Sequence, residues 1–107
     1  MAIAHALPGE AIDVRPLGPL LPQRKTVALF KSEDLEVMRV VLRAGKTLPP
    51  HKVPGEITIQ CLEGSIDVTA GGGSHLLHAG QLLFLLGNEP HAVESLEDSS
   101  FLVTVAL

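Results

Sequence analysis

The stretch HKVPGEITIQCLEG, residues 51–64, decides the fold of this chain, because it places a histidine ahead of a strand-like run that ends in glycine. Alternate residues of a strand face the same side of a sheet. If the strand is regular, one face therefore carries five side chains, which are His51, Val53, Ile57, Ile59 and Cys61. A mainly apolar face with a histidine at one end is typical of a pocket wall or of a metal site that has lost ligands.

Similar short runs surround this stretch from residue 25 to the end of the sequence. The other apolar runs are TVALF, LEVMRVVL, SIDVTA, SHLLHA, QLLFLL, HAVES and SFLVTVAL, with turn residues between them. Many short strands at such spacing predict an all-β fold, here a small antiparallel β-barrel or jelly roll. A chain of 107 residues makes one such domain, which we place at residues 25–107.

One run, within residues 32–45, also carries the marks of a helix. Ser32 stands at an N-cap position and Gly45 just beyond the end, and Leu35, Met38 and Leu42 share a helical face. Three valines in the same run favour a strand instead. Because its neighbours are strands, the run is predicted to be a strand as well.

Residues 1–24 differ from the rest in their proline content. Four of the eight prolines of the chain are Pro8, Pro16, Pro19 and Pro22. Proline removes a backbone donor and interrupts a helix, so we predict an extended N-terminal arm that lies over the domain.

Composition limits the partners and the compartment. A net charge of −4 with scattered basic residues argues against nucleic acid. The longest apolar run, residues 82–86, is too short to span a bilayer, which predicts no membrane partner. The single cysteine and the lack of a signal peptide predict a cytoplasmic protein. The uninterrupted run QLLFLL predicts a strand covered on both faces, with a second subunit as the outer cover and hence a homodimer.

The segment Gly45 to Gly64 resembles the first signature motif of the cupin superfamily, which consists of small β-barrels or jelly rolls. Gly45, His51 and Gly64 stand where the motif has its first glycine, first histidine and closing glycine. Val53 and Ile57 replace the second histidine and the glutamate, while Glu56 lies one residue before the glutamate position.

The segment Gly80 to Ser95 resembles the second cupin motif and matches it at Gly80 and His91. Leu86, Asn88 and Ser95 stand for its proline, second glycine and asparagine. Asparagine tolerates the left-handed conformation that such a turn often needs. The likeness implies a small RmlC-like cupin with degenerate metal-binding motifs.

The resemblance leaves three functions open. Many cupins hold one divalent metal, and here His51, His91 and, if the VPGE turn bulges inward, Glu56 would hold iron, manganese, zinc or nickel. With such a metal, the resemblance implies an enzyme of the dioxygenase or isomerase type. The preferred alternative is a protein that binds a small organic molecule without a full metal site, because two of the four ligand positions are apolar; the third is a dimeric domain with a vestigial pocket. The predicted pocket comprises His51, Val53, Ile57, Ile59, Cys61, Phe84, His91 and Val93.

Overall fold

The computed structural model describes residues 5–107, and within them the regular structure is almost entirely strand. After a 3-10 helix at Gly18–Gln23 come nine strands: β1 Val27–Lys31, β2 Leu35–Leu42, β3 Thr47–His51, β4 Ile57–Glu63, β5 Ser65–Ala70, β6 Gly73–His78, β7 Leu82–Leu85, β8 His91–Ser95 and β9 Ser99–Ala106. Every strand pair in this range is antiparallel. The predicted all-β antiparallel class is confirmed.

The strands form two sheets, which enclose the apolar core between them. One sheet has the order β1-β2-β9-β4-β7 and the other the order β3-β8-β5-β6. No strand ladder joins the two sheets within residues 5–107, so they face each other without closing into a continuous barrel. The core residues come from the inner faces of both sheets and include Ile59, Cys61, Ile66, Val68 and Phe101.

The central strand β4 shows how the alternating pattern builds this core. Ile57, Ile59 and Cys61 are all buried and lie opposite Val105, Val103 and Phe101 of β9. The intervening Thr58 and Gln60 are half-buried on the outer face. The period of two therefore fixes which side of residues 57–61 faces the interior.

The contested segment at residues 32–45 forms strand β2, as predicted. All eight residues of β2 pair with β9, and four of them also pair with β1. Ser32 does not cap a helix: its backbone N–H donates to the Leu35 carbonyl at 2.7 Å and its Oγ accepts from the Leu35 N–H at 3.1 Å. The serine closes a turn between two strands, a role that its short polar side chain also favours.

Strand β3 was not expected, because Pro49 and Pro50 lie inside it. It occupies an edge of the four-stranded sheet and pairs only with β8. An edge strand tolerates proline, since one side of its backbone needs no partner.

The proline-rich arm runs over the outer face of the five-stranded sheet but is not wholly extended. The 3-10 helix at Gly18–Gln23 was not predicted, and it buries Leu21 to 3% exposure. The backbone N–H groups of Leu17 and Gly18 donate to the Glu63 carboxylate at 2.9 and 3.0 Å. Polar contacts with β4 thus fix the arm at its carboxyl end.

Strand β7 lies at the other edge of that sheet. Leu85 faces the core, whereas Leu82 and Phe84 are 60% and 57% exposed. A single chain therefore covers one face of β7, and the expected second cover would have to come from another molecule.

The described residues also include no helix long and apolar enough to cross a membrane.

Candidate functional site

A cavity of about 400 Å³ opens between the two sheets, at the end where β3 meets β8. Its walls come from β2, from the end of β3 and the turn that follows it, and from the adjoining ends of β4, β8 and β9. Most of the lining is apolar and includes Met38, Val53, Ile57, Val103 and Val105. The polar side chains of the lining are Glu36, His51 and His91.

The two histidines are neighbours across the β3–β8 pair. Their backbones lie opposite each other, and their ring centroids are 4.4 Å apart with the ring planes tilted by 58°. His91 is 5% exposed, whereas His51 is exposed. The structure thus brings together the two histidines that the sequence motifs singled out.

The backbone contacts of the two rings favour one tautomer for each. Nδ1 of His51 lies 3.3 Å from the Pro49 carbonyl, and Nδ1 of His91 lies 3.0 Å from the Glu89 carbonyl. Because a carbonyl oxygen can only accept, these contacts are hydrogen bonds in the tautomer that carries its proton on Nδ1, and we assign that tautomer to both rings. In the neutral ring the other nitrogen, Nε2, then keeps its lone pair and acts as an acceptor.

The turn between β3 and β4 forms the rim of the cavity and is firmly packed. Asn88 N–H donates to the Val53 carbonyl at 2.7 Å, and Ala106 N–H donates to the Glu56 carbonyl at 2.9 Å. A Cβ at Gly55 would lie 1.8 Å from the Ala106 carbonyl oxygen, so only glycine fits there. Asn88 itself lies in the turn between β7 and β8 and has φ of 62°, the left-handed conformation expected for that turn.

Glu56 does not take the position that a metal ligand would need. Its side chain is exposed and does not line the cavity. The VPGE turn brings Val53, Pro54 and Gly55 to the rim, and the next residue to line the cavity is Ile57. The inward bulge that would aim the carboxylate at the histidines is therefore not present.

The other predicted pocket residues fall into two groups. Ile59, Cys61 and Val93 are packed in the core at 1%, 0% and 3% exposure and do not line the cavity. Phe84 lies on the outer face of β7, opposite Thr58, because the alternation of β4 and β7 turns it away from the interior. Of the eight predicted residues, His51, Val53, Ile57 and His91 line the cavity.

The predicted pocket did not include strand β2, and Glu36 in particular was missed. Glu36 and Met38 lie two residues apart and so share the inner face, where they pair with Val105 and Val103 of β9. The alternation within LEVMRVVL contained this signal. Strand β2 lies outside the two motif segments, residues 45–64 and 80–95, which carried the pocket prediction.

The donor set does not fit a complete metal centre. Among residues 5–107 no group of three or more His, Cys, Asp or Glu side chains is placed to hold an ion. His51 and His91 supply two ligands, whereas catalytic metal sites usually have three protein ligands. Val53 and Ile57 occupy the positions where the cupin motif has its other two.

The buried thiol of Cys61 is a packing group. Burial raises the pKa of Cys61, and its Sγ lies 3.5 Å from the Glu63 carbonyl. A thiol that stays protonated and has 0% exposure is a poor nucleophile.

The comparisons with known proteins agree with this architecture. A family model described as a cupin domain matches residues 38–106. An RmlC-like cupin from Desulfovibrio desulfuricans is 27% identical, with 99% of this chain and 97% of that chain covered and a TM-score of 0.71. A cupin superfamily protein from Desulfitobacterium hafniense is 18% identical, with 90% and 94% covered and a TM-score of 0.75.

A conserved protein of unknown function from Streptococcus pyogenes has the same fold. It is 20% identical, with 99% of this chain and 94% of that chain covered and a TM-score of 0.74. No curated protein matches the sequence significantly.

Proposed function

This chain belongs to the cupin family, whose model matches residues 38–106, and from that premise we propose that it binds a small, largely apolar organic molecule in the cavity between its sheets, without a full metal site. The observation that carries the proposal is a cavity of about 400 Å³ with apolar walls and two histidines at its end. Binding sites for small molecules commonly combine an apolar lining with a few polar groups that fix orientation.

Apolar burial would supply most of the binding energy, and the histidines would orient the ligand. Met38, Val103 and Val105 offer a surface from which a ligand would displace water. The Nε2 atoms of His51 and His91 supply two acceptors held by bonds to the backbone. Groups that are already oriented lose little entropy when a ligand binds.

A cavity-filling variant tests this proposal. Val103→Phe would fill the cavity from β9, and Val37→Phe is the matched control, because Val37 lies on the outer face of the same sheet. A diverse fragment library is screened by ligand-observed NMR against both variants and the natural protein. Hits that bind the natural protein and Val37→Phe but not Val103→Phe support the proposal. The absence of any hit that Val103→Phe abolishes contradicts it.

A metal-dependent dioxygenase or isomerase is the second candidate, and the tautomers favour it. Histidines that bind metals through Nε2 almost always donate from Nδ1 to a carbonyl or carboxylate, as His51 and His91 do. Elemental mass spectrometry of untagged protein, with His51→Ala beside it, decides between the two. One equivalent of iron, manganese, zinc or nickel that is lost in the variant would overturn the metal-free proposal.

The proposal includes a homodimer in the cytoplasm. The dimer is supported by the exposed apolar face of β7, where Leu82 and Phe84 are 60% and 57% exposed. A single buried thiol, Cys61, suits a reducing compartment.

A further inference from the structure

The polar side chains that line the cavity share one chemical property. With neutral imidazoles, the Nδ1–H donors of His51 and His91 are engaged by the Pro49 and Glu89 carbonyls, which leaves two Nε2 acceptors. Glu36, when ionised, is an acceptor only. The remaining lining side chains are apolar. In this cavity, side chains therefore accept hydrogen bonds and offer no free donor.

Glu36 also lies in an unusual environment for a carboxylate. It is half-buried on the inner face of β2, opposite Val105, and it lines the cavity beside Met38. Within residues 5–107 it makes neither a side-chain hydrogen bond nor an ion pair. The carboxylate therefore faces the cavity without a protein partner, and a cationic donor bound there would supply one.

We propose that the ligand is an apolar primary amine, bound as its ammonium form with the ammonium group against the Glu36 carboxylate. This inference rests on the proposed function and names its ligand class. An ammonium group has three donors and no acceptor, which suits a cavity whose polar side chains only accept. Its organic body would occupy the space between Met38, Val103 and Val105.

The same arrangement discriminates against acids. A carboxylate ligand bound in the same way would place its charge near Glu36, and the other polar side chains of the cavity would offer it no donor. Unpaired acceptors and like charges of this kind reduce affinity for the wrong ligand. An alcohol can donate one hydrogen bond but carries no charge, so its affinity should lie between those of the amine and the acid.

A series with one aromatic body and three head groups tests the ligand class. Phenethylamine, phenethyl alcohol and phenylacetate are titrated separately into the protein near neutral pH, and affinities are taken from NMR shifts of the lining residues. We expect the amine to bind at least about tenfold more tightly than the acid, since hydrogen bonds to charged groups are the strong ones. An acid that binds as tightly as the amine, or more tightly, overturns the amine class.

The alcohol separates failure of this inference from failure of the proposed function. If it shifts the cavity resonances while the amine has no advantage, the cavity binds organic molecules but the amine class is wrong. If none of the three compounds binds at millimolar concentration, the amine class is likewise overturned. The broader function is then decided by the fragment screen with Val103→Phe.

A substitution in the carboxylate tests the role of Glu36. Glu36→Gln keeps the shape of the side chain and removes its charge, and Glu33→Gln in the exposed β1–β2 turn is the matched control. Glu36→Gln should lower the affinity for phenethylamine by about tenfold and change the affinity for phenethyl alcohol by less than about twofold. Glu33→Gln should change neither. Unchanged amine affinity in Glu36→Gln would overturn the assignment of this carboxylate.

Discussion

Arg39 and Glu63 form an ion pair with 3.2 Å between Nη2 and Oε2, at side-chain exposures of 6% and 14%. The pair lies beneath the arm: Arg39 Nη2 also donates to the Arg15 carbonyl at 2.7 Å, and Glu63 accepts from Leu17, Gly18 and Ser100. One guanidinium and one carboxylate therefore join β2, β4, β9 and the arm. The second ion pair within residues 5–107, Asp13–Arg15, is shorter at 2.7 Å but exposed.

We predict that Glu63→Gln destabilises the fold and releases the arm. The substitution leaves Arg39 buried without its counter-charge, and charged hydrogen bonds of this kind contribute about 2 kcal/mol or more. Urea unfolding measures the loss, and hydrogen exchange at Leu17 and Gly18 reports the arm. Asp13→Asn is the control, and it should leave the unfolding midpoint unchanged because exposed pairs contribute little. Equal effects of the two substitutions would contradict the role given to Glu63.

The same carboxylate predicts a loss of stability in acid. Burial alone would raise the pKa of Glu63, but hydrogen bonds from Leu17, Ser100 and Gly18, together with the charge of Arg39, lower it below the usual 4.5. A group with a lowered pKa in the folded state stabilises the protein above its unfolded pKa, and that contribution is lost as pH falls through the folded value.

The measurement is the difference in unfolding free energy between the natural protein and Glu63→Gln. It should be largest near about pH 7 and should shrink toward about pH 3, as Glu63 becomes protonated. Carrying Asp13→Asn in both proteins removes the titration of Asp13, whose pKa is also lowered, to about 2, by hydrogen bonds from Arg15. A difference that does not change with pH would show that Glu63 does not act as a charged group.

The cavity rim gives a steric prediction. Gly55→Ala would force Cβ to 1.8 Å from the Ala106 carbonyl oxygen, so the rim must shift at a cost of about 1–3 kcal/mol, as for other overpacked sites. Since Pro54 and Gly55 line the cavity, ligand affinity should fall as well. Gly73→Ala is the control, because its Cβ would meet nothing closer than 3.8 Å. A Gly55→Ala protein as stable as Gly73→Ala would contradict the packing described for the rim.

The sequence predicts features that depend on neighbouring residues better than features that depend on distant strands. Alternation within a run is local, and it placed β4 and its inward Ile57, Ile59 and Cys61. The two motifs singled out His51 and His91 as pocket residues, and the structure places them opposite each other on β3 and β8. The strand character of Thr47–His51 was hidden by Pro49 and Pro50, because tolerance of proline depends on the edge position, which the sequence does not state.

The local sequence pattern does not predict which of the inward-facing residues line the cavity. Ile59 and Val93 do face inward, yet they are packed in the core and do not line the cavity. Glu36 and Met38 reach the cavity only because β2 pairs with β9 in one particular register. Such facts depend on how the two sheets are stacked, which a single sequence leaves open.

The outer face of β7 carries the last prediction, which concerns assembly. Leu82 and Phe84 point away from the core at 60% and 57% exposure, and Leu86 just beyond the strand is 65% exposed. A second copy that presents the same edge would bury this face on both molecules around a two-fold axis.

Phe84→Glu places a charge at the centre of that contact and should weaken the dimer by at least about tenfold, measured by sedimentation velocity over a concentration series. Leu76→Glu, at a 50% exposed leucine of the other sheet, is the control and should leave the dimer intact. A natural protein that sediments as a monomer at every concentration would contradict the dimer itself, and equal weakening by both substitutions would move the interface away from β7.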